Sequence, residues 1–317
     1  MKFYFVLNPK AGKGGHTQEL EKNIRLVCEK KEIPFEIYMT TGVGDATAFV
    51  KKICSDGANL PARFYACGGD GTFGEVVNGA ADTAGASVGV IPVGTGNDFV
   101  RNFAPAEAFF DIEAQISGEE TRIDLLKCND SYAVNMINIG FDCEVVKKTA
   151  KLKKNALVPS KLAYIAGVVS TLIKKPGVRA SVSFDGSEFT DKRYLLTTFA
   201  NGSFCGGGFH SNPFSSLTDK KVDGLLINNV SRMKFISLIG SYKKGTHIVP
   251  KNDSVLKNGK YEKIIFKFPQ TQSASIDGEI FDFDELCIEC VPNAIDIILP
   301  AGVSNPYAEK TRETVMA

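Results

Sequence analysis

Residues 68–79 read GGDGTFGEVVNG and follow directly on ARFYAC (62–67). The apolar run ARFYAC is typical of a buried strand, and EVVNGAA (75–81) predicts a helix. A second glycine-rich turn, PVGTGNDF (92–99), ends the next apolar run, SVGVIPV (87–93). Strands, glycine turns and helices in this order favour a parallel α/β sheet, in which such turns lie at one edge.

The same alternation covers the first third of the chain. Two more predicted strands, KFYFVLNP (2–9) and FEIYMT (35–40), alternate with predicted helices over 16–31 and 44–55. Asp45 is the expected N-cap of the second of these helices. Apolar strands that alternate with helices predict a parallel sheet covered by helices on both faces.

The character of the sequence changes after about residue 115. Short β-rich segments separated by turns follow, among them YAVNMINIGF (132–141), RYLLTTFANG (193–202) and ASIDGEIF (274–281). They predict a mostly antiparallel, sandwich- or barrel-like domain, which one helical stretch, LAYIAGVVSTLI (162–173), interrupts. The expected fold is two-domain: an α/β domain over 1–122, a β-rich domain over 123–300, and a polar tail over 301–317 that frays or packs on the first domain.

The composition is that of a globular protein, with 317 residues, 44% hydrophobic residues and a net charge of +1. A charge this close to zero gives no overall field that would favour nucleic acid. No segment has the apolar length of a signal peptide or a membrane helix, so we expect a cytoplasmic protein that touches a membrane at most from its surface. The eight cysteines are scattered through apolar segments and predict buried, reduced thiols.

Four polar turns end predicted strands of the first domain: the two above, NPKAGKGG (8–15) and TTGVGDAT (40–47). Because the carboxyl ends of parallel strands share one edge, these turns predict a continuous site of nucleotide size. Glycine lets a ligand approach the backbone, and a turn that leads into a helix directs N–H groups at an anion. Thr72 and the amides after it are the expected phosphate donors. The alternative interpretation is that the turns are simple strand–helix connections.

Asp70 is an unusual residue for a phosphate site, because a carboxylate repels the ligand unless a cation or a proton transfer involves it. It therefore indicates Mg²⁺ nearby or the positioning of an attacking hydroxyl. Asp98, in the second glycine turn, is also an expected N-cap for the residues that follow it.

Taken in order, NPKAGKGG, TTGVGDA, GGDGTFGEVVNG and PVGTGNDF resemble the catalytic domain shared by diacylglycerol kinases and related lipid kinases. The resemblance continues through NIGFDCEVV (138–146), NGSFCGGGF (201–209), DKKVDGLL (219–226) and SIDGE (275–279). It covers nearly the whole chain and is specific for the bacterial soluble branch. Thr72 is typical of the diacylglycerol-kinase-like members of that branch.

The resemblance implies that ATP and Mg²⁺ are the cofactors and that ATP lies along the four turns. The implied nucleotide-binding residues are Asn8, Lys10, Thr40, Thr41, Gly68, Gly69, Asp70, Gly71, Thr72, Gly74, Glu75, Gly94, Thr95, Asn97 and Asp98.

The resemblance also implies that the general base lies in SIDGE. A lipid hydroxyl loses its proton as it attacks the γ-phosphate, and a carboxylate within hydrogen-bond reach accepts that proton. Glu279 is the expected base, Asp277 is expected to support it or to orient Mg²⁺, and Asp70 is the third expected catalytic carboxylate. Two residues apart on a predicted strand, Asp277 and Glu279 would face the same side. The alternative is that both belong to a hairpin turn around Gly278.

DKKVDGLL resembles a second, structural Mg²⁺ site of the family. There one carboxylate and two backbone carbonyls bind the ion, which here implies Lys220, Asp223 and Leu225 as ligands. Hard oxygen ligands suit Mg²⁺. The alternative is an ordinary Asp-Gly hairpin.

Residues 145–184 contain nine Lys and Arg residues and no Asp or Glu. The basic residues surround an apolar helical stripe, which predicts peripheral contact with the anionic inner membrane surface. The alternative is a core-packing helix with solvated flanks.

The predicted function is transfer of the γ-phosphate of ATP to a lipid hydroxyl, with diacylglycerol as the acceptor and phosphatidic acid as the product. The alternatives are a kinase for another lipid alcohol (a sphingoid base, ceramide or phosphatidylglycerol), a NAD kinase, and a non-catalytic nucleotide- or lipid-binding regulator. The presence of Asp70, Asp277 and Glu279 favours an enzyme. Members of the family often dimerise, so a homodimer is also expected.

Overall fold

The fold is that of a computed structural model, which describes residues 1–12, 17–141, 143–145, 147–148 and 177–307. The chain divides into two compact units. The first unit comprises Met1–Leu125, Leu217–Lys220 and Val291–Ala317, and the second comprises Leu126–Ser216 and Lys221–Cys290. Each unit therefore draws on separate stretches of chain, whereas the sequence pattern assigned one continuous stretch to each domain.

The sheet of the first unit is parallel. Its strand order is β13-β4-β3-β1-β2, where only the last part of β13 belongs to this unit. Its strands are β1 (Lys2–Leu7), β2 (Phe35–Met39), β3 (Ala62–Gly68), β4 (Ala86–Pro92) and β13 (Glu279–Leu299). The predicted parallel sheet is confirmed.

Helices cover both faces of this sheet. They are α1 (Thr17–Lys30), α2 (Asp45–Ser55), α3 (Asp70–Ala80) and α4 (Ile112–Ile116), with 3-10 turns at Gly57–Asn59, Phe99–Asn102 and Ala106–Phe110. Successive strand residues point to opposite faces. On one face Phe5 stacks on Tyr65, with the ring centroids 4.9 Å apart, in a cluster that includes Ile24 of α1. On the other face Tyr4 stacks on Phe64 at 5.2 Å.

The second unit is an antiparallel sheet that closes on itself. Its strands are β6 (Ser131–Ala133), β7 (Met136–Gly140), β8 (Val178–Phe184), β9 (Thr190–Ala200), β10 (Val222–Asn228), β11 (Leu256–Tyr261), β12 (Lys263–Ile276), the first part of β13 and the end of β5 (Glu119–Cys128). Both β7 and β8 pair with β9 and with β12, so these four strands form a ring. The predicted barrel-like β domain is confirmed.

One helix of the second unit, α5 (Arg232–Lys244), packs on the outside of this sheet. Ser231 caps its first turn by accepting the N–H of Lys234 at 3.2 Å, and Gly245 ends it in the left-handed conformation. Phe235 and Tyr242 are buried in a cluster with apolar residues of β9 and β10. A short 3-10 turn at Pro250–Asn252 follows.

The predicted N-cap of α2 is wrong: Gly44, at a φ of 82°, is the N-cap and Asp45 is the first helical residue. The helical stretch 162–173 lies outside the described residues. Of the tail, Ser304 bridges to Ala104 and the ring of Tyr307 meets that of Phe103 edge-on at 6.1 Å.

Candidate active site

The two glycine turns of the first unit meet through their backbones. The N–H of Gly94 donates to the carbonyl of Gly68 at 3.1 Å. A Cβ on residue 94 would lie 2.3 Å from the Cα of Gly69, closer than any side chain tolerates. Glycine at position 94 is therefore required for the turns to meet at the carboxyl edge of the sheet.

Asp70 joins the same two turns through its carboxylate. Its Oδ1 accepts the backbone N–H of Asp98 at 2.8 Å and that of Phe99 at 3.3 Å. Asp98 is the N-cap residue of the 3-10 turn, as expected, but its carboxylate is not the capping oxygen, because its side chain makes no cap bond there. Asp70 supplies that oxygen instead, and the Asp98 carboxylate lies 3.4 Å from the Arg101 guanidinium.

The turn after β1 is fixed to α3 by Asn8. Its Nδ2 donates to the Oγ1 of Thr72 at 3.0 Å, and its Oδ1 accepts the backbone N–H of Lys10 at 2.9 Å. The N–H of Asn8 donates to the carbonyl of Cys67, at the end of β3, at 3.0 Å. Asn8 thus orients the threonine of GGDGT and holds the turn that carries the exposed Lys10 side chain.

The turn after β2 is fixed to α3 by Glu75. Its carboxylate accepts the N–H of Gly44 at 2.9 Å and that of Ala46 at 3.1 Å, so it caps the start of α2. Within the turn, Asp45 accepts the N–H of Thr41 at 2.7 Å, and this bond lowers the pKa of the Asp45 carboxyl. Because Glu75 already binds two amides, its contact with a nucleotide stays a prediction.

Side chains therefore tie three of the turns to α3, and the fourth, GGDGT, forms the start of this helix. The first N–H groups of a helix have no partner within the helix, and the helix dipole favours an anion at this end. Close-packed glycine backbone beside a helix N-terminus suits phosphate groups. The other predicted residues lie on the same turns: Thr40 is buried at the end of β2, Gly71 and Gly74 lie in the first turns of α3, Thr95 is exposed, and Asn97 donates to the carbonyl of Pro92 at 2.8 Å.

Asp277 of the second unit is surrounded by backbone amides. Its carboxylate accepts the N–H groups of Val134 at 2.7 Å, Asn135 at 3.0 Å and Met136 at 2.8 Å. Burial raises the pKa of the Asp277 carboxyl to about 6, and the three amides, which stabilise the charged form, oppose that rise. The arrangement fixes the turn of SIDGE to residues 134–136, at the start of β7.

Glu279 follows that turn at the start of β13 and is half-buried. Asp277 and Gly278 have φ values of 46° and 93°, and Ile276 pairs with Glu279 across them. This is the two-residue hairpin in which both central residues have positive φ. The expectation that Asp277 and Glu279 share one face of a strand is wrong, because the turn separates them. Glu279 is instead the first residue of β13, directly after the turn, and the three amide bonds to Asp277 fix the backbone of that turn.

Two asparagines that the sequence analysis did not single out complete this cluster. The side chain of Asn135 donates to the carbonyl of Phe204 at 2.6 Å, and that of Asn201 donates to the carbonyl of Val134 at 3.0 Å. They tie residues 134–135, just before β7, to NGSF (201–204). Asn201 is the first residue of NGSFCGGGF, which was the signal that could have identified it, whereas Asn135 lies three residues before NIGFDCEVV.

Comparison with known protein families finds two matches, which together cover most of the chain. Residues 2–128 match the diacylglycerol kinase catalytic domain, and residues 135–299 match the YegS C-terminal NAD kinase beta sandwich-like domain. The chain belongs to the diacylglycerol kinase catalytic-domain family. The first match lies almost wholly in the first unit, and the second covers the second unit from residue 135 together with residues 217–220 and 291–299 of the first.

Relatives of the family cover most of the chain. A protein of Bacillus subtilis named diacylglycerol kinase is 29% identical over 282 residues, which cover 86% of this chain and 88% of the relative. A crystal structure described as a diacylglycerol kinase from Bacillus anthracis superposes with a TM-score of 0.69 at 20% identity, over 96% of this chain and 97% of that one. At that identity the structure establishes the shared fold alone.

The structural Mg²⁺ site implied by the family resemblance fits this chain poorly. Asp223 Oδ2 lies 3.1 Å from the ammonium of Lys260. Leu225 lies inside β10, which is paired on both edges, so its carbonyl points at a neighbouring strand. Lys220, with a φ of 63°, is held through its N–H by Asp124 at 2.7 Å. Among the residues that the structure describes, no three His, Cys, Asp or Glu side chains are grouped as metal ligands.

Asp124 is a further buried carboxylate that sequence reasoning missed. It also accepts the N–H of Asn293 at 2.8 Å, and burial raises its pKa. It lies in β5 and binds chain segments far away in sequence, which no local pattern reveals.

Proposed function

We propose that this protein is an ATP-dependent lipid kinase that phosphorylates diacylglycerol to phosphatidic acid. The observation that carries the proposal is the junction of the glycine turns at the start of α3, where Asp70 binds the amides of Asp98 and Phe99. Such a junction suits the phosphates of ATP. Membership of the diacylglycerol kinase family supports a kinase.

The reaction is a phosphoryl transfer. The oxygen of the lipid hydroxyl attacks the γ-phosphorus, the new O–P bond forms, and the bond from that phosphorus to the bridging oxygen of ADP breaks. The hydroxyl proton passes to Glu279, the proposed general base. Mg²⁺ would enter with ATP beside Asp70 and would supply positive charge against the phosphates, and positioning of the reactants would supply most of the remaining rate enhancement.

The other carboxylates have distinct proposed roles. Asp277 is a positioning residue, because its oxygens bind three amides and thereby fix the hairpin that presents Glu279. Asp70 fixes the second glycine turn and adds negative charge where Mg²⁺ accompanies ATP. Thr72, oriented by Asn8, is the proposed side-chain donor to phosphate.

The choice of acceptor rests on the resemblance and on one relative. Thr72 in GGDGT is typical of diacylglycerol-kinase-like members, and the Bacillus subtilis relative is named diacylglycerol kinase. A sphingoid base, ceramide, phosphatidylglycerol and NAD are the alternative acceptors. A non-catalytic regulator is the alternative outside enzymes. We also propose a homodimer, which sedimentation of the isolated chain would test.

A lipid kinase must reach its substrate in a membrane, and we propose peripheral binding to an anionic bilayer. No helix in the described part of the chain is long and apolar enough to cross a membrane. Most of the basic segment 145–184 lies outside the described residues. Helix α5 offers a described surface of the same kind: Met233 is 76% and Ile236 52% exposed, and its basic residues, Arg232, Lys234, Lys243 and Lys244, are exposed with no acidic residue on the helix.

The test is transfer of labelled γ-phosphate from Mg²⁺-ATP to a panel of lipid alcohols and NAD in mixed micelles. We expect the native chain to label diacylglycerol and Glu279→Gln to lose about 100-fold or more in kcat. Glu289→Gln is the matched control, because that glutamate lies further along β13 and pairs with Lys263 of β12. Labelling of another acceptor would replace diacylglycerol, and ATP binding without labelling of any acceptor would favour the regulator.

A further inference from the structure

A lysine ammonium bridges two parts of the second unit at Asp223. Asp223 of β10 and Lys260 of β11 are opposite each other in the antiparallel register. The Nζ of Lys260 lies 3.1 Å from Oδ2 of Asp223 and 3.2 Å from the carbonyl oxygen of Phe214. One cation thus joins β10, β11 and the loop that precedes Leu217.

The carboxylate at this position needs partners for its negative charge, and Lys260 supplies a positive one. The Asp223 side chain is only 10% exposed, and a buried carboxylate is strongly disfavoured unless hydrogen bonds or a cation satisfy its oxygens. The same loop is also held by Asn212, whose side chain donates to the carbonyl of Asp223 at 3.2 Å and accepts the hydroxyl of Thr198 at 2.7 Å. The ammonium therefore belongs to a built polar cluster.

The ammonium of Lys260 donates to a carboxylate oxygen and to a backbone carbonyl oxygen. A divalent cation prefers oxygen ligands of these same two types. The family resemblance implies that Mg²⁺ binds Asp223, yet the carbonyl of Leu225 is directed into the sheet. We propose that the Lys260 ammonium takes the place of the divalent cation at Asp223. The loop around Asp223 is then stable without Mg²⁺, and Mg²⁺ is needed only with ATP.

A second lysine–carboxylate pair provides the control. Lys221 lies 2.7 Å from Glu262, but that carboxylate is 74% exposed, and such pairs contribute little. Lys221→Met and Lys260→Met remove the same charge and keep a side chain of similar length, so they differ only in which carboxylate loses its cation.

The experiment measures the melting temperature of the full, nucleotide-free chain in EDTA and in millimolar Mg²⁺. We expect the native chain and Lys221→Met to melt at the same temperature in both buffers. Lys260→Met should melt several degrees lower in EDTA and regain part of the loss in Mg²⁺, because the Asp223 carboxylate then binds the divalent ion. Since no nucleotide is present, the result does not depend on the kinase proposal.

Binding of Mn²⁺, followed by electron paramagnetic resonance, gives a second readout. The native chain should bind no more Mn²⁺ than Asp223→Asn does, whereas Lys260→Met should gain a site. The proposal is overturned if Mg²⁺ raises the melting temperature of the native chain and Asp223→Asn abolishes that rise. It is also overturned if Lys260→Met is as stable in EDTA as the native chain.

Discussion

The carboxylate of Asp70 accepts the backbone N–H of Asp98 at 2.8 Å, so one glycine turn holds the other in place. The aspartate that appeared misplaced in a phosphate site therefore has a structural partner. Its charge is partly satisfied by amides, which reduces its repulsion of phosphate. The second glycine turn depends on this bond for its position.

Replacement of Asp70 should separate its two roles. Asp70→Ala removes the acceptor and lets the second turn move, and a small misplacement of reacting groups costs about 100-fold in rate. Asp70→Asn keeps an oxygen that accepts the N–H of Asp98 but removes the charge. We expect Asp70→Ala to raise the KM for ATP and lower kcat, and Asp70→Asn to lower kcat with a smaller effect on KM. An Asp70→Ala enzyme with native kinetics would contradict this role.

The contact between the turns makes a similar prediction for Gly94. A methyl group at this position would lie 2.3 Å from the Cα of Gly69, so Gly94→Ala must push the turns apart. We expect the KM for ATP to rise about tenfold or more, measured by the same phosphate-transfer assay. Gly57→Ala is the control, because nothing lies within 4 Å of a Cβ there. Equal KM values for the two variants would show that the turns do not need close contact to bind ATP.

The fold could be predicted from sequence because its evidence is local. The apolar runs and glycine turns between residues 2 and 99 alternate with the periods of strands and helices, and each period is visible in a short window. The division of β13 between the two units could not be predicted in this way. Its first part pairs with β12 and its last part with β4, and pairing between distant strands leaves no trace in one segment.

The candidate site shows the same limit. The types of the site residues were visible in the motifs, but their partners were not. Asp70 binds the amides of Asp98 and Phe99, and Glu75 binds amides about 30 residues earlier in the chain. A carboxylate that binds a backbone N–H places no demand on the side chain of its partner. The helix cap that Glu75 forms was therefore not visible in the sequence, and its contact with a nucleotide stays a prediction.

A pH effect on stability follows from His247. Burial lowers the pKa of this imidazole to about 4, below its ordinary value of 6.5. The unfolded chain therefore binds a proton between pH 6.5 and 4 that the folded chain does not, and stability falls as the pH falls through this range. This residue should cost the native chain about 3 kcal/mol at pH 4 relative to pH 7.

Urea unfolding of the native chain and of His247→Leu at several pH values measures this contribution. Both proteins lose stability in acid through their carboxylates, so the difference between them isolates His247. We expect the native chain to lose more than the variant between pH 7 and 4. An equal loss of unfolding free energy in the two proteins would mean that His247 in the folded state keeps its ordinary pKa.

The exposed face of α5 carries apolar and basic side chains together. Met233 and Ile236 lie one helical turn apart beside Arg232 and Lys234, a pattern that suits the surface of an anionic bilayer. Each basic residue near such a surface contributes about 1 kcal/mol, and insertion of the two apolar side chains adds to this. We expect the double variant Met233→Ser, Ile236→Ser to bind phosphatidylglycerol-containing vesicles about tenfold or more weakly in sedimentation assays. Leu26→Ser, which alters another exposed apolar residue on α1, should bind as the native chain does. Phosphorylation of a short-chain, water-soluble diacylglycerol should be unchanged in both variants, because that substrate can be reached without contact with a lipid surface. Native-like vesicle binding by the double variant would assign membrane contact to another part of the chain and leave the kinase proposal intact.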